Sequence, residues 1–324
     1  MSKVKNYFVI GIVFLVAVIT GVAIGSVYID GLVPTIDTSG LSETSLRDDE
    51  VVIEALYNDA ISGRKTSFTA VELYQIGEYK LEHETTRYVK ILSGDVSAGV
   101  GPISVPQEMR AIKTSTEDGI YYLKMSPSQN SMAPSMAVKQ IYEYDKPNEI
   151  YLNETRSIEN IVGDSKENYT VDLDESTAKI WTIEQYKQFF NTEPTTPLTY
   201  IISSKTCAEG NYAKDVTLNG DSQYVFNIKL TGPYATYAAL YYSYEIRHFS
   251  ESTIPTTPPT SSDLPSWKSV DIQVTMDENF NILSMHYIEV YNVKKMGIDA
   301  TVTDTFDDIF YYDEATIQEC LAML

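Results

Sequence analysis

Apolar positions along the chain fall into three textures. The first is a continuous run from Tyr7 to Ile29, YFVIGIVFLVAVITGVAIGSVYI, with no charged side chain. The second is helical spacing. Val51, Val52, Ala55, Leu56 and Ile61 recur this way within 48–61, and Asp48 to Glu50 favour a helix N-terminus. Phe68 to His83 also reads as a helix, with Val71, Tyr74, Gln75 and Glu78 on one face and Leu73, Ile76 and Lys80 on another. The third texture starts at Tyr88. Short stretches rich in Val, Ile, Tyr and Thr alternate with turn signals, as antiparallel strands require. The spacing predicts strands over Tyr88–Gly99, Gln107–Ser115, Gly119–Ser126, Ala137–Tyr144 and Glu149–Asn153. Glu117-Asp118-Gly119 and Asp145-Lys146-Pro147-Asn148 supply turns between them.

The stretch 154–181 carries a weaker pattern. Thr182–Phe190 reads as a helix with Thr182 as its N-cap. A second strand group follows: Leu198–Ser204, Asp215–Leu218, Tyr224–Thr231, Val270–Met276, Ile282–Tyr291 and Thr301–Phe306. Asn219-Gly220 and Asp277-Glu278-Asn279 are hairpin signals. Pro233–Phe249 fits either a helix with Pro near its start or a long strand, and the helix is preferred. The Pro/Thr/Ser-rich segment 250–266 reads as an exposed loop. No repeat of 20–50 residues appears, so a solenoid or propeller is not indicated.

The first run fixes the organisation. Twenty-three helical residues span about 34 Å, enough for a hydrocarbon core of roughly 30 Å with some tilt. Lys3 and Lys5 precede the run and Asp30 follows it. The positive-inside rule then puts the N-terminus in the cytoplasm and residues 30–324 outside a cell membrane. The competing reading is a cleaved signal peptide with Ala23 and Gly25 at the cleavage site, but the apolar run exceeds a usual signal core. Gly21-x-x-x-Gly25 is a spacing at which two such helices pack closely. The expected organisation is a cytoplasmic tip and transmembrane helix at 1–29, a stalk at 30–47 and an extracytoplasmic domain at 48–324. That domain holds two sheet halves or one continuous sheet, with a division near 181/182. The expected fold class is α+β: the transmembrane helix, then a mainly antiparallel curved β-sheet with a few helices on one face.

Charge narrows the partners. The chain has 24 Lys and Arg against 45 Asp and Glu, a net −21. Nucleic acid is excluded as a partner, since phosphate contacts need clustered positive charge. The same charge keeps the outward domain off an anionic bilayer surface. Two Cys and three His leave no multi-cysteine zinc site and little histidine chemistry. Tyr, at 25 residues, is the outlier, and suits a sheet surface where the ring packs and the hydroxyl stays wet.

The element order carries a resemblance. Helices are followed by an antiparallel meander, then Tyr224-Val225-Phe226 to Lys229-Leu230, then Val270 to Asp277, then His286 to Val293. This order resembles the lipoprotein-carrier half-barrel superfamily, the LolA-like and LppX-like group, with its membrane-anchored relatives in Gram-positive bacteria. The resemblance spans about 250 residues and rests on strand order without a diagnostic motif. It implies an open, strongly curved antiparallel sheet, helices across its concave face, and an apolar or amphipathic ligand between them. No ligand residue of that group transfers to this chain.

No complete catalytic constellation is visible, and no catalytic, cofactor-binding or metal-ligating residue is assigned. Ser204-Lys205-Thr206-Cys207 after Tyr200-Ile201-Ile202 is faintly similar to the Thr-x-x-Cys of sortases, with His83 and Arg247 as nominal partners. The Leu usual after that Thr is missing. The competing reading is a structural Cys207, buried or paired with Cys320. Ser62-Gly63-Arg64-Lys65 and Gly220-Asp221-Ser222 match fragments of hydrolase motifs in the wrong context. Asp304, Asp307, Asp308, Asp313 and Glu314 lack the Asp-x-Asp-x-Asp-Gly calcium spacing and read as a solvated acidic face. Asn153-Glu154-Thr155 and Asn168-Tyr169-Thr170 are glycosylation sequons. The leading expectation is a non-enzymatic, membrane-anchored protein that binds a hydrophobic ligand or lipid, or senses the envelope. The alternatives are a structural or adhesive surface module and an anchored cysteine transpeptidase.

Overall fold

The computed structural model describes residues 50–63, 67–100, 103–126, 136–146, 150–155, 179–183, 200, 202–203, 206–207, 212–213, 222–232, 235, 266–295 and 298–323. The architecture is α+β, an open and curved antiparallel sheet with few helices. Helix α1 (Glu50–Ile61) opens the described chain, as its spacing predicts. It buries Tyr57 and Ala60 and leaves Val51, Val52 and Ile61 exposed. Strand β1 (Phe68–Thr69) runs into helix α2 (Ala70–His83). Thr69 starts that helix with a capping box: its hydroxyl accepts from the Glu72 N–H at 3.2 Å, and Glu72 Oε2 accepts from the Thr69 N–H at 2.8 Å. The Tyr57 hydroxyl donates to Glu84, and the Tyr57 and Tyr79 rings lie 5.3 Å apart, so α1 is clipped to α2.

Strands β2 (Tyr88–Val100), β3 (Ile103–Ser115), β4 (Gly119–Ser126), β5 (Met136–Glu143), β6 (Ile150–Thr155) and β7 (Lys179–Trp181) form a meander. Strand β8 (Tyr212–Ala213) pairs with β1 in a separate two-stranded ladder. Strands β9 (Tyr224–Thr231), β10 (Ser266–Met276), β11 (Ile282–Lys295) and β12 (Ile298–Tyr311) form a second meander. The last strand, β12, returns to lie beside β2, so both groups join in one ten-stranded sheet ordered β7-β6-β5-β4-β3-β2-β12-β11-β10-β9.

Two turns show how short polar motifs set the register. At β10–β11 the Asp277 carboxylate accepts from the N–H groups of Asn279 and Asn281 at 2.8 and 2.9 Å. That holds Phe280 at φ 63°, a left-handed conformation that a bulky residue adopts only under such constraint. Its ring stacks on Tyr224 at 5.5 Å, which offsets the cost. At β3–β4 the Thr116 hydroxyl accepts from the N–H groups of Asp118 and Gly119, both at 3.2 Å.

The sheet curls strongly. Tyr122 on β4 acts electrostatically on the Tyr287 phenol on β11, although β3, β2 and β12 lie between them. In a flat sheet those two strands would stand about 19 Å apart. Helix α2 lies inside the curl. It buries Val71, Leu73, Tyr74, Gln75, Ile76 and Leu81, more than the single stripe of a surface helix. Gly77 permits the approach, since a Cβ there would collide with Met276 Cε of β10. On the outer face helix α3 (Glu314–Leu321), capped by Asp313, packs Ile317 and Cys320 on Val89, Ile112 and Leu123.

The helix α3 is an addition to the predicted elements. The strand predicted at Thr301–Phe306 is longer, Ile298–Tyr311. The segment predicted as a strand over Leu198–Ser204 is irregular at Tyr200, Ile202 and Ser203. Its backbone is satisfied by a turn, in which Ser203 O accepts from the N–H groups of Thr206 and Cys207. Ala235 is helical, within the predicted 233–249 helix, and Gly232 before that segment holds φ 61°. Outside the described residues lie the run 7–29, the stalk 30–47, the helix at 184–190, the strand at 215–218, the Asn219-Gly220 turn, 236–249, the loop 250–265 and the Asn168 sequon. Among the described residues no helix is long and apolar enough to cross a membrane.

Candidate functional site

The inner face of the sheet gathers the chemistry. Strand alternation puts Met285, Tyr287, Glu289 and Tyr291 of β11 on that face, and the register sets them opposite Asp308, Phe306, Asp304 and Val302 of β12. Glu289 and Asp304 are 0 % exposed and Asp308 is 1 % exposed. This corrects the expectation of a solvated acidic face. Asp307 and Asp313 are exposed, as is Glu314, but Asp304 and Asp308 alternate into the core. Like charges directly opposite one another are unfavourable, and a buried carboxylate needs hydrogen bonds. Tyr200 provides one, its hydroxyl donating to Glu289 Oε1 at 2.9 Å. The Tyr200 carbonyl in turn accepts from the Tyr74 hydroxyl of α2 at 3.2 Å. The Tyr200 segment is thereby pinned both to the sheet and to the helix inside it.

Aromatic rings frame this cluster. Tyr287 meets Tyr200 edge-on at 5.7 Å and Phe306 at 5.5 Å, and Trp267 lies 5.0 Å from Tyr291. Phe306 covers Gly94 of β2, where a side chain would strike its ring. Complete burial raises the Tyr287 phenol well above its ordinary value, and Asp308, Tyr122 and Asp304 add to the effect. Tyr287 is therefore neutral across the physiological range.

A second row crosses the neighbouring strands. Phe310, Lys90, Lys113, Tyr122 and Gln140 stand opposite one another on β12, β2, β3, β4 and β5. The Tyr88–Phe310 ring contact at 6.2 Å marks this row as inner, since Val89 belongs to the outer cluster under α3. Lys90 is 3 % and Lys113 2 % exposed. Gln140 is also buried, and its Oε1 has no hydrogen-bond partner. Sequence reasoning missed this row. A lysine in a strand reads as solvent-facing, and only the pairing register reveals its face.

The nominated thiol chemistry is not assembled. Burial pushes the Cys207 thiol up to about 12, the opposite of a reactive thiolate. His83 is engaged elsewhere, stacked on Tyr79 at 4.3 Å and 3.2 Å from Glu50. Arg247 lies outside the described residues. Cys207 packs on the inner core while Cys320 lies in the outer cluster, and both thiols are free. The disulfide reading is thus set aside, because the sheet separates the two. Ser62 donates to the Asp59 carbonyl as part of the α1 terminus. Among the described residues no group of three or more His, Cys, Asp or Glu side chains is placed to hold a metal ion.

No protein-family model matches the chain, and no curated protein matches it. Solved structures do. A domain described as an outer membrane lipoprotein-sorting protein from Vibrio parahaemolyticus is 12 % identical, with 78 % of this chain and 98 % of that one covered, at a TM-score of 0.24. A DUF1329 family protein from Desulfovibrio piger is 10 % identical, covering 81 % and 93 %, at 0.22. A LolA superfamily protein from Nitrosomonas europaea is 7 % identical, covering 77 % and 97 %, at 0.21.

Proposed function

We propose that the chain is a membrane-anchored, extracytoplasmic binding or envelope-sensing protein without enzymatic activity, taking an apolar or amphipathic ligand against the inner face of its sheet. One observation carries this reading. The inner face combines an aromatic frame, Tyr200, Tyr287, Phe306, Trp267 and Tyr291, with buried charged groups on the same surface. In a core that serves packing alone, well-packed apolar residues often do as well as such buried ions or better. A binding surface for an amphiphile needs both kinds of group, apolar area for the tail and a few placed polar groups for the head. The run 7–29 supports the anchor, and the raised Cys207 thiol weighs against a transpeptidase. The adhesive reading gains no observation, since Tyr144 is the one aromatic among the exposed large hydrophobic residues described.

The test is native mass spectrometry of the full chain released from a mild detergent, followed by solvent extraction. The reading expects a co-purifying adduct of lipid mass. A clean apo mass, together with no uptake of added amphiphile, would refute it. Protease digestion of intact cells checks the topology, with loss of residues 30–324 and survival of the N-terminal tip expected.

A further inference from the structure

The start of α1 and the end of α2 meet through a histidine. We infer that His83 is an acid-sensitive latch: doubly protonated, it holds the first turn of α1 on the last turn of α2, and it releases that turn when one ring proton leaves. Both ring nitrogens face acceptors. Nδ1 lies 3.0 Å from the Tyr79 carbonyl oxygen, and Nε2 lies 3.2 Å from Glu50 Oε1. A carbonyl and a carboxylate accept hydrogen bonds and donate none. A neutral imidazole has one N–H, so it serves one of these oxygens and turns a lone pair on the other. The imidazolium donates to both. The helix ends agree with that charge. His83 closes α2, where the helix dipole favours a cation, and Glu50 opens α1, where it favours an anion. The His83 ring also stacks on Tyr79, with centroids 4.3 Å apart and planes at 16°, which favours the charged ring again.

The surroundings make the proton matter. α1 brings Glu50, Glu54 and Tyr57 to the junction. α2 brings Tyr79, with Glu82 exposed in its last turn and Glu84 at its C-cap. Burial, then Glu54, Glu50 and Glu84, raise the Tyr79 phenol, so these three carboxylates converge on one ring. Lys80, one turn before Glu84, donates to the Asn279 carbonyl at 2.6 Å on the side of the β10–β11 turn. A neutral His83 leaves Glu50 and Glu54 beside Glu84, and like charges then push the first turn of α1 outward. The rest of α1 stays, because Tyr57 and Ala60 are buried and the Tyr57 hydroxyl donates to Glu84. Histidine changes charge between about pH 5 and 8, so the hold is complete in acid and lost as pH rises. The chain from the apolar run 7–29 joins the body at α1, and the latch sets how firmly that junction is held. It does so whether or not the inner face binds a ligand.

The experiment reads amide hydrogen exchange in the full 324-residue chain held in phosphatidylcholine nanodiscs. It compares about pH 5.5 with about pH 8, with labelling times scaled to the intrinsic exchange rate at each pH. The amides of Glu54 to Tyr57 bond the carbonyls of the first turn, and are expected to be about threefold better protected at the lower pH, the effect of one exposed ion pair. The Ala60 amide is expected to show no such difference. His83→Gln is expected to give the higher-pH protection at both pH values. Glu50→Gln is expected to lose the difference, because an amide serves either state of the ring by donating or accepting. His286→Gln removes a pair with Asp307 at 2.8 Å on the outer face, and is expected to keep the difference. Equal protection of the first turn at both pH values in the unmutated chain would overturn the latch, and that comparison needs no variant to fold. A difference that survives in His83→Gln, or that vanishes in His286→Gln, would overturn its assignment to His83.

Discussion

Two regions of one sheet solve the same burial problem differently. On β9–β11 the inner face packs against α2 with aromatic and aliphatic side chains, and Gly77 lets helix and strand nearly touch. On β2–β5 the same face buries the polar side chains Lys90, Lys113 and Gln140. Between them β12 alternates Phe306 and Phe310 with Asp304 and Asp308. The first region is where the fold draws its stability. The second buries polar groups, of which the Gln140 Oε1 has no hydrogen-bond partner. The contrast separates an apolar, helix-packed part of the inner face from a part that mixes polar with apolar side chains.

Substitutions break or sharpen that contrast. Phe306→Ala removes the ring that covers Gly94 and meets Tyr287, and is expected to cost about 3–5 kcal/mol by urea denaturation. Cys207 should label with iodoacetamide at pH 8 about a hundredfold or more slowly in the native protein than in the unfolded one, because its raised value leaves little thiolate. The same shift makes its contribution to stability complete below the unfolded thiol value of 9.0 and lost as pH rises through about 12. Equal native and unfolded labelling rates at pH 8 would remove that account.

Tyr200→Phe removes one hydrogen bond from the buried Glu289 carboxylate and should lower stability by about 2 kcal/mol, read as a shifted urea midpoint at unchanged slope. Asp313→Ala deletes the α3 cap at Thr316 and should cost about 1 kcal/mol without touching binding.

Much of the scaffold was legible in the sequence. Strands Gly119–Ser126 and Tyr224–Thr231 keep the predicted bounds, because alternation and turn residues agree there. β12 was read too short because Asp304 and Asp308 occupy inward positions, and inward acids erase the apolar half of the alternation. Helix α3 left a signal that composition obscured. Asp313 sits as an N-cap, and Ile317, Cys320 and Leu321 follow at helical spacing, but the acidic run drew the eye. The Tyr200 segment shows the opposite error, an apolar stretch whose backbone is held by a turn and by side-chain bonds from other elements. The lysine row was not legible at all. Both faces of Tyr88–Leu92 are apolar enough to be the core, so only the pairing with Phe310 and Lys113 assigns Lys90 inward.

The most direct test is the shift in melting temperature that dodecyl phosphate and dodecanol cause in the full chain. A ligand that binds only the folded state raises its stability by mass action. The account predicts an upward shift of several degrees with at least one of the two probes, on the order of that for 1–2 kcal/mol of linkage. No shift with either probe would contradict it.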